Sequence, residues 1–212
     1  MQRKIGFYSR FLSTAILLFL VSIASAHARP LQVTDDGRPA APQRIVSLVP
    51  AVTEILLAID AGDRIVGVTS HDTQAEAAAK TVVGGFFSPA MDRIAALAPD
   101  LVVVSSLHDE IVRQCAGQGI ATLEPDLGTL QRSLEAITAL GDLVQSRDAA
   151  AALRRRIQDQ LDRIARKTAA IPLKKRLRVM RLMGEDKVMT PGDDSFQNDL
   201  IRAASQAAKS PV

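Results

Sequence analysis

Two histidines and two adjacent phenylalanines stand out in a chain whose apolar residues are otherwise almost all aliphatic. Beyond residue 28, the only aromatic residues are Phe86, Phe87 and Phe196, and the only histidines are His71 and His108. Imidazole rings bind metals or hydrogen-bond to ligands, and phenylalanine rings pack against the flat faces of organic ligands. An aliphatic core needs no aromatic rings in glycine-flanked loops. These four residues therefore indicate a ligand-binding site.

Serine residues beside His108 raise the alternative of nucleophilic catalysis. Ser105 or Ser106, together with His108 and Asp109, supplies the residue types of a catalytic triad. Neighbours on one loop rarely reach one another in the relay that a triad requires, and the chain contains no G-x-S-x-G motif. We therefore do not expect an enzyme.

Direct binding of a metal ion is a second alternative. His71 and His108, with Asp72 or Asp109, could supply three or four metal ligands. Their spacing matches no established metal motif, so we assign no residue as a metal ligand. The chain also has no glycine-rich phosphate loop. The metal-ion alternative stays open at this point.

Alternating strand and helix patterns place the ring-bearing residues on one edge of a sheet. Four short apolar segments have the composition of parallel strands: 44–49, 65–68, 100–104 and 119–123. His71 and His108 follow two of them, and the phenylalanine pair follows a shorter apolar stretch. Ligands of open parallel sheets bind at the carboxyl ends of the strands. The pattern predicts a three-layer α/β lobe with a mainly parallel sheet, covering residues 44–145.

Helix signals complete this lobe and lead out of it. We expect Thr53 to cap or open the first helix, and Ser88 and Pro89 to form the start of another. A long connecting helix is predicted over 146–170, with Ser146 as its N-cap. Its apolar residues recur on one face: Leu153, Ile157, Leu161 and Ile164.

Residues 171–212 begin a second α/β pattern and do not complete it. A strand is expected over 176–183, a second short strand or turn over 188–190, and a helix over 195–204. Two strands and a helix cannot bury a core of their own. We therefore expect an incomplete second α/β lobe, with the long helix exposed near Ile164 and Ile171.

The N-terminus has the pattern of a cleaved secretory signal over residues 1–28. Basic residues precede an apolar stretch, and two A-x-A sites follow it. An uncleaved membrane anchor is the alternative. No cysteine lies at the cleavage region, so we expect a soluble, exported protein and not a lipoprotein. Residues 29–43 contain three prolines and should form a flexible lead-in.

Charge and cysteine content exclude some classes of protein. The formal net charge of +3 equals the contribution of Arg3, Lys4 and Arg10, so the remainder of the chain is neutral. No aromatic residues interleave the bases of the C-terminal half, and we expect no nucleic-acid partner. The single cysteine, Cys115, excludes an internal disulfide and reads as part of the core.

Several segments together resemble a known family. They are RIVSLVPAVTE (44–54), VGVTS (66–70), MDRIAALAPDLVVV (91–104) and SFQNDLI (195–201). This ordered set is similar to the periplasmic substrate-binding proteins for iron–siderophores, haem and vitamin B12, over about residues 42–204. The resemblance implies a monomeric, non-enzymatic solute receptor of an ABC importer, with ligand held between two lobes joined by the long helix.

The resemblance also implies roles for individual residues. His71, Phe86 and Ser105 or Ser106 fall at loop positions that contact ligand in the family, and Phe87 and His108 lie on the same edge. Asp92 would dock onto the inner-membrane permease. The ligand would be a metal chelate (a ferric siderophore, haem or cobalamin), and no resident cofactor is expected.

One departure concerns residues 205–212. The family has a glycine pair after the L-I-R-A-A run and about a hundred further residues, whereas this chain reads Ser205-Gln206 and ends at Val212. We therefore expect a C-terminally truncated receptor in which binding is impaired. The alternative is a remnant or interaction module without transport activity.

Overall fold

The computed structural model describes residues 40–176, 179–184 and 188–205. The predicted signal peptide and residues 29–39 of the predicted lead-in lie outside these ranges.

A sheet of five parallel strands forms the centre of the N-terminal lobe. The strands of the described residues are β1 (Ile45–Ser47), β2 (Ile65–Val68), β3 (Thr81–Val82), β4 (Gly84–Gly85), β5 (Ser88–Pro89), β6 (Leu101–Val103) and β7 (Ala121–Leu123). The main sheet has the order β3-β2-β1-β6-β7, and each of its pairings is parallel. β4 and β5 form a separate antiparallel hairpin. The predicted α/β lobe with a mainly parallel sheet is confirmed.

Helices cover both faces of the sheet. The α-helices of the described residues are α1 (Pro50–Ala58), α2 (Met91–Ala96), α3 (Asp109–Gly117), α4 (Leu130–Leu143), α5 (Arg147–Ala169) and α6 (Phe196–Ser205). Because strand side chains alternate in direction, the central strands β1 and β6 each contribute to two apolar cores. Ile45 and Val103 pack with α1, α4 and α5, whereas Val46 and Val102 pack with α2 and α3. Cys115 is fully buried in the second core, as predicted.

The first helix starts earlier than predicted. It begins at Pro50, because the first helical position needs no N–H donor and proline fits there. Thr53 lies inside this helix and is buried, and its hydroxyl donates a hydrogen bond to Ser47 Oγ at 2.8 Å.

The prediction that Ser88 and Pro89 start a helix is wrong. Both residues belong to the β4–β5 hairpin, which is closed where the Ala90 N–H donates to the Val83 carbonyl at 2.8 Å. The helix α2 begins only at Met91. Ser-Pro fits an edge strand as well as a helix start, and the hairpin pairing decides between them.

The long helix α5 ends within one residue of each predicted boundary. Leu153 is buried on the lobe, whereas Ile164 and Ile171 are 43% and 42% exposed, as predicted. Where α5 packs on α4, a Cβ added to Gly141 would lie 2.4 Å from the Cβ of Ala150. Glycine at 141 therefore permits the close approach of the two helices.

The strand predicted over 176–183 is not formed by the residues of it that are described. Met183 and Met189 make an isolated antiparallel bridge. α6 packs instead on the N-terminal lobe: the Phe196 N–H donates to the Gly128 carbonyl at 2.7 Å, and Asp199 Oδ2 accepts from the Leu130 N–H at 2.9 Å. The predicted strand does not form because a single strand needs a neighbouring strand to pair with its backbone.

None of the helices formed by the described ranges combines the length and the apolar character needed to cross a membrane.

Candidate functional site

The loops at the carboxyl edge of the sheet bring the predicted site residues together. His71 follows β2, Phe86 and Phe87 form the tip of the β4–β5 hairpin, and Ser105 and His108 follow β6. β1 separates β2 from β6, so the two histidine loops lie on either side of it. The shared edge is the one that parallel topology predicts.

His108 is the centre of a hydrogen-bonded brace between two loops. Its side chain is buried, and its Nδ1 accepts a hydrogen bond from the Ser105 N–H at 3.0 Å. Because Nδ1 accepts, the proton of the neutral ring is on Nε2, which lies 2.7 Å from the Phe86 carbonyl oxygen and donates to it. Both ring nitrogens are thus engaged, and the ring ties the hairpin tip to the loop after β6.

His71 is held differently, at the surface. The Phe86 N–H donates to its Nδ1 at 3.1 Å, and the His71 N–H donates to Thr69 Oγ1 at 3.3 Å. Asp72 Oδ2 closes the same turn by accepting from the Thr69 N–H and hydroxyl at 2.9 and 2.7 Å. The side chain of His71 is exposed, so its ring is available to a ligand.

Four rings form a cluster around Phe86. Its centroid lies 4.8 Å from that of Phe87, 5.1 Å from His108 and 6.5 Å from His71, each pair in an edge-to-face arrangement. His71 and Phe87 are also edge-to-face at 6.4 Å. Phe86 is half-buried, whereas Phe87 is 78% exposed. We call His71, Phe86, Phe87 and His108 the ring cluster.

Glycine makes the tight hairpin possible. Gly84 has a φ of +129°, and a Cβ there would lie 2.6 Å from the Ser88 carbonyl oxygen. Only glycine fits this conformation and this spacing without strain. The hairpin therefore presents Phe86 and Phe87 at a fixed place on the edge.

A groove of about 340 Å³ adjoins the ring cluster. Its walls combine the hairpin tip, the start of α2 and the first turns of α3: Phe87, Ser88, Pro89, Met91, Leu107, His108, Glu110, Ile111 and Gln114. Hydrogen bonds from the Gln114 amide and the Arg113 guanidinium lower the pKa of the Glu110 carboxyl, so the groove has one anionic wall at neutral pH.

Leu107 is a groove residue that the sequence reasoning missed. It is 64% exposed although it is a large apolar residue. The available signal was its position between Ser106 and His108, where a leucine in a polar loop is unusual.

The hydrogen-bond partners of the His108 ring do not match those of a catalytic serine–histidine pair. Ser105 Oγ lies 3.3 Å from His108 Nδ1, but that nitrogen already accepts from the Ser105 N–H. The opposite nitrogen faces the Phe86 carbonyl, where a triad requires a carboxylate to orient the ring.

Metal ligation by the two histidines is also disfavoured by this geometry. Within the described ranges, no group of three or more histidine, cysteine, aspartate or glutamate residues could hold a metal ion. His108 has no nitrogen lone pair left to offer, because one nitrogen accepts and the other donates.

Asp92, the predicted docking residue, stands apart from the ring cluster. It is exposed in the first turn of α2, and no ion pair among the described residues involves it. Its neighbour Arg93 donates to the Val82 carbonyl. Asp92 is therefore a free surface carboxylate on the described part of the chain.

The family follows from a comparison of sequence. A family model for periplasmic binding proteins matches residues 45–208. The chain belongs to this family. An uncharacterized ABC transporter substrate-binding lipoprotein of Bacillus subtilis, YvrC, is 28% identical over 166 residues, 76% of this chain and 53% of that protein. The chain thus spans about half the length of this curated relative.

Solved structures show the same fold. S. aureus IsdE, determined in complex with heme, is 26% identical with a TM-score of 0.66, over 76% of this chain and 63% of that one. The vitamin B12 binding protein BtuF of Vibrio cholerae is 20% identical with a TM-score of 0.65, over 81% and 69%. The predicted resemblance is confirmed, and these relatives are binding proteins.

Proposed function

We propose that this protein is the solute-binding component of an ABC importer and that its ring cluster forms one wall of a site for a metal chelate. The observation that carries this proposal is the ring cluster itself, placed at the carboxyl edge of a parallel sheet in a member of the periplasmic binding protein family. The heme and vitamin B12 bound by the relatives are large, flat chelates, and exposed aromatic rings suit such ligands.

Some residues of the ring cluster would contact the ligand, and others would hold those residues in position. Phe87 and His71 are exposed and would touch the ligand, with Leu107 widening the apolar wall. His108 is buried and would act as a positioning residue that holds Phe86 and the hairpin tip. Ser105 would contribute in the same way, through its N–H.

A panel titration tests the proposal. Isothermal calorimetry of the purified chain with ferric desferrioxamine B, cyanocobalamin and haemin should reveal saturable binding of at least one of them. The described residues supply one wall, and a cleft with two walls buries more of its ligand, so we expect weak but measurable affinity. Absence of heat of binding for all three chelates would contradict the proposal.

Substitution of Phe87 locates the site. Covering roughly 100 Å² of an exposed phenylalanine corresponds to about 2.5 kcal/mol, so Phe87→Ala should weaken binding at least about tenfold. Val82→Ala is the matched control, because it trims an apolar side chain that is 45% exposed on the edge strand β3, outside the ring cluster and groove. Equal affinities of the two variants would place the ligand elsewhere.

We propose Asp92 as the contact with the permease. A free carboxylate at a helix start is suited to an arginine on a partner surface. In membranes that contain the cognate permease, Asp92→Asn should reduce co-sedimentation of the chain while leaving chelate binding intact. Loss of both together would show a folding defect in place of a docking role.

We propose the periplasm as the location, in line with the family. The Bacillus relative is a lipoprotein. Mass spectrometry of the exported chain separates a cleaved soluble form, which we propose here, from a lipid-modified one.

A second candidate, an interaction module, is favoured by one observation. Apolar side chains are exposed in the C-terminal segment: Val179, Met180, Leu182, Val188 and Met189. Concentration-dependent self-association in sedimentation velocity, combined with no chelate binding, would favour this candidate over a receptor.

A further inference from the structure

Both histidines of the ring cluster have the same proton arrangement, and this arrangement bears on the class of ligand. A backbone N–H can only donate, so the Phe86 N–H at 3.1 Å fixes His71 Nδ1 as an acceptor. The Ser105 N–H fixes His108 Nδ1 in the same way at 3.0 Å. The proton of each neutral ring is therefore on Nε2.

A metal-ligating histidine needs the opposite arrangement. When one ring nitrogen binds a metal, the other almost always donates its N–H to a carbonyl, a carboxylate or a water. Here the nitrogen opposite Nε2 of His71 faces a donor, the Phe86 N–H. Moving the proton to Nδ1 to free Nε2 would set two donors against each other and break the hairpin contact.

His71 is the one of the pair that can meet a ligand. His108 Nε2 is already occupied by the Phe86 carbonyl at 2.7 Å, and its side chain is buried. His71 is exposed, and within the described ranges no protein group is bonded to its Nε2. The His71 ring lies beside the exposed ring of Phe87, and the two ring centroids are 6.4 Å apart.

We infer that His71 donates its Nε2–H to an acceptor oxygen on the organic part of the bound chelate and does not coordinate the metal. The inference rests on the proposed chelate-binding function and restricts the class of chelate that the protein can bind. The ligand class is a chelate whose metal takes no ligand from either histidine and whose periphery carries a carboxylate, hydroxamate or amide oxygen. Phe87 covers an apolar face of the same ligand.

The proton arrangement can be tested without any ligand. Long-range proton–nitrogen correlation spectra of the purified chain near neutral pH should show the Nε2–H form for both histidines. His108 is an internal standard, since two independent hydrogen bonds fix its form. An Nδ1–H form for His71 would overturn the inference and would leave the proposed function standing.

Comparison of the wild type with two His71 variants then distinguishes hydrogen-bond donation by His71 from coordination of the metal by His71. Glutamine can place a donor near the Nε2 position, whereas alanine cannot. With whichever of ferric desferrioxamine B, cyanocobalamin and haemin binds, His71→Ala should weaken binding about tenfold and His71→Gln by less than about threefold, as expected for one hydrogen bond. Both variants should keep the circular dichroism spectrum of the wild type.

Two binding results would overturn the inference. One is unchanged affinity in His71→Ala. The other is a histidine-ligated, low-spin haemin spectrum in the wild type that disappears in both variants. Failure of the proposed function gives a different pattern, in which no chelate binds the wild type although its histidine spectra are as expected.

Discussion

Replacing His108 by alanine should destabilise the lobe far more than the same change at His71. His108 is buried and engages both nitrogens, so its removal leaves the Ser105 N–H and the Phe86 carbonyl without partners. Each hydrogen bond contributes about 0.5–1.5 kcal/mol, and a buried group left unpaired costs about 1–3 kcal/mol. We expect His108→Ala to lower the free energy of unfolding by about 3 kcal/mol, in the lower part of the range for two unpaired groups, because water that enters the space left by the ring can satisfy part of the loss.

His71 provides the matched control for this prediction. It is exposed, and water can replace its single side-chain hydrogen bond, so His71→Ala should cost about 0.5 kcal/mol or less. Conservative variants at His108 measure separately how much each of its two hydrogen bonds contributes to stability. Asparagine can keep an acceptor near Nδ1, and glutamine can keep a donor near Nε2. Both should lie between wild type and His108→Ala.

Urea unfolding followed by far-ultraviolet circular dichroism is the appropriate assay, because the chain has no tryptophan. Thermal unfolding should show the same order. A loss of about 3 kcal/mol corresponds to a fall in Tm of about 6–12 °C for a chain of this size. Free energies of unfolding for His108→Ala and His71→Ala that agree within about 0.5 kcal/mol would refute the brace.

Three further predictions concern the scaffold. Gly141→Ala should destabilise the chain by about 1–2 kcal/mol in urea, since the overlap with Ala150 outweighs the gain in helix propensity, and adding Ala150→Gly should recover part of the loss. Asp199→Ala removes the acceptor of the Leu130 N–H and should cost about 1 kcal/mol, seen as faster hydrogen exchange in α6; unchanged exchange would mean that α6 is held by other contacts. Burial raises the pKa of the Cys115 thiol, so maleimide labelling at neutral pH should proceed only as fast as the lobe opens, and rapid labelling of the folded chain would contradict this.

The sheet and the long helix could be predicted because their signals are local. Continuous apolar segments mark β1, β2 and β6, and the helical spacing of Leu153, Ile157 and Ile164 marks α5. The parallel topology then placed the site loops on one edge. These steps require only periodicity and the handed, ordered connections of α/β folds.

The different roles of the two histidines could not be predicted. His71 and His108 have the same residue type and similar loop positions, but one is exposed and the other buried. The contacts that separate their roles join Phe86 to rings that lie 15 and 22 residues away in the sequence, and local sequence patterns do not reveal such contacts. The prediction for Ser88 and Pro89 fails because the local preferences of these residues fit both a helix start and an edge strand.

The C-terminal segment illustrates another limit. The alternating pattern around Val179 and Leu182 has strand periodicity, yet a strand forms only when a neighbouring strand pairs with it. The described residues there make one isolated bridge, at Met183 and Met189. Periodicity in the sequence thus indicates a preference and not a pairing partner.

Hydrogen exchange with and without ligand tests the central claim most directly. In the presence of saturating amounts of the chelate that binds, protection should rise over the loops 69–72, 84–90 and 104–109 and stay unchanged over the opposite edge, including 98–100 and 117–120. Saturable binding with protection confined to other parts of the chain would contradict the assignment of the ring cluster as the ligand wall.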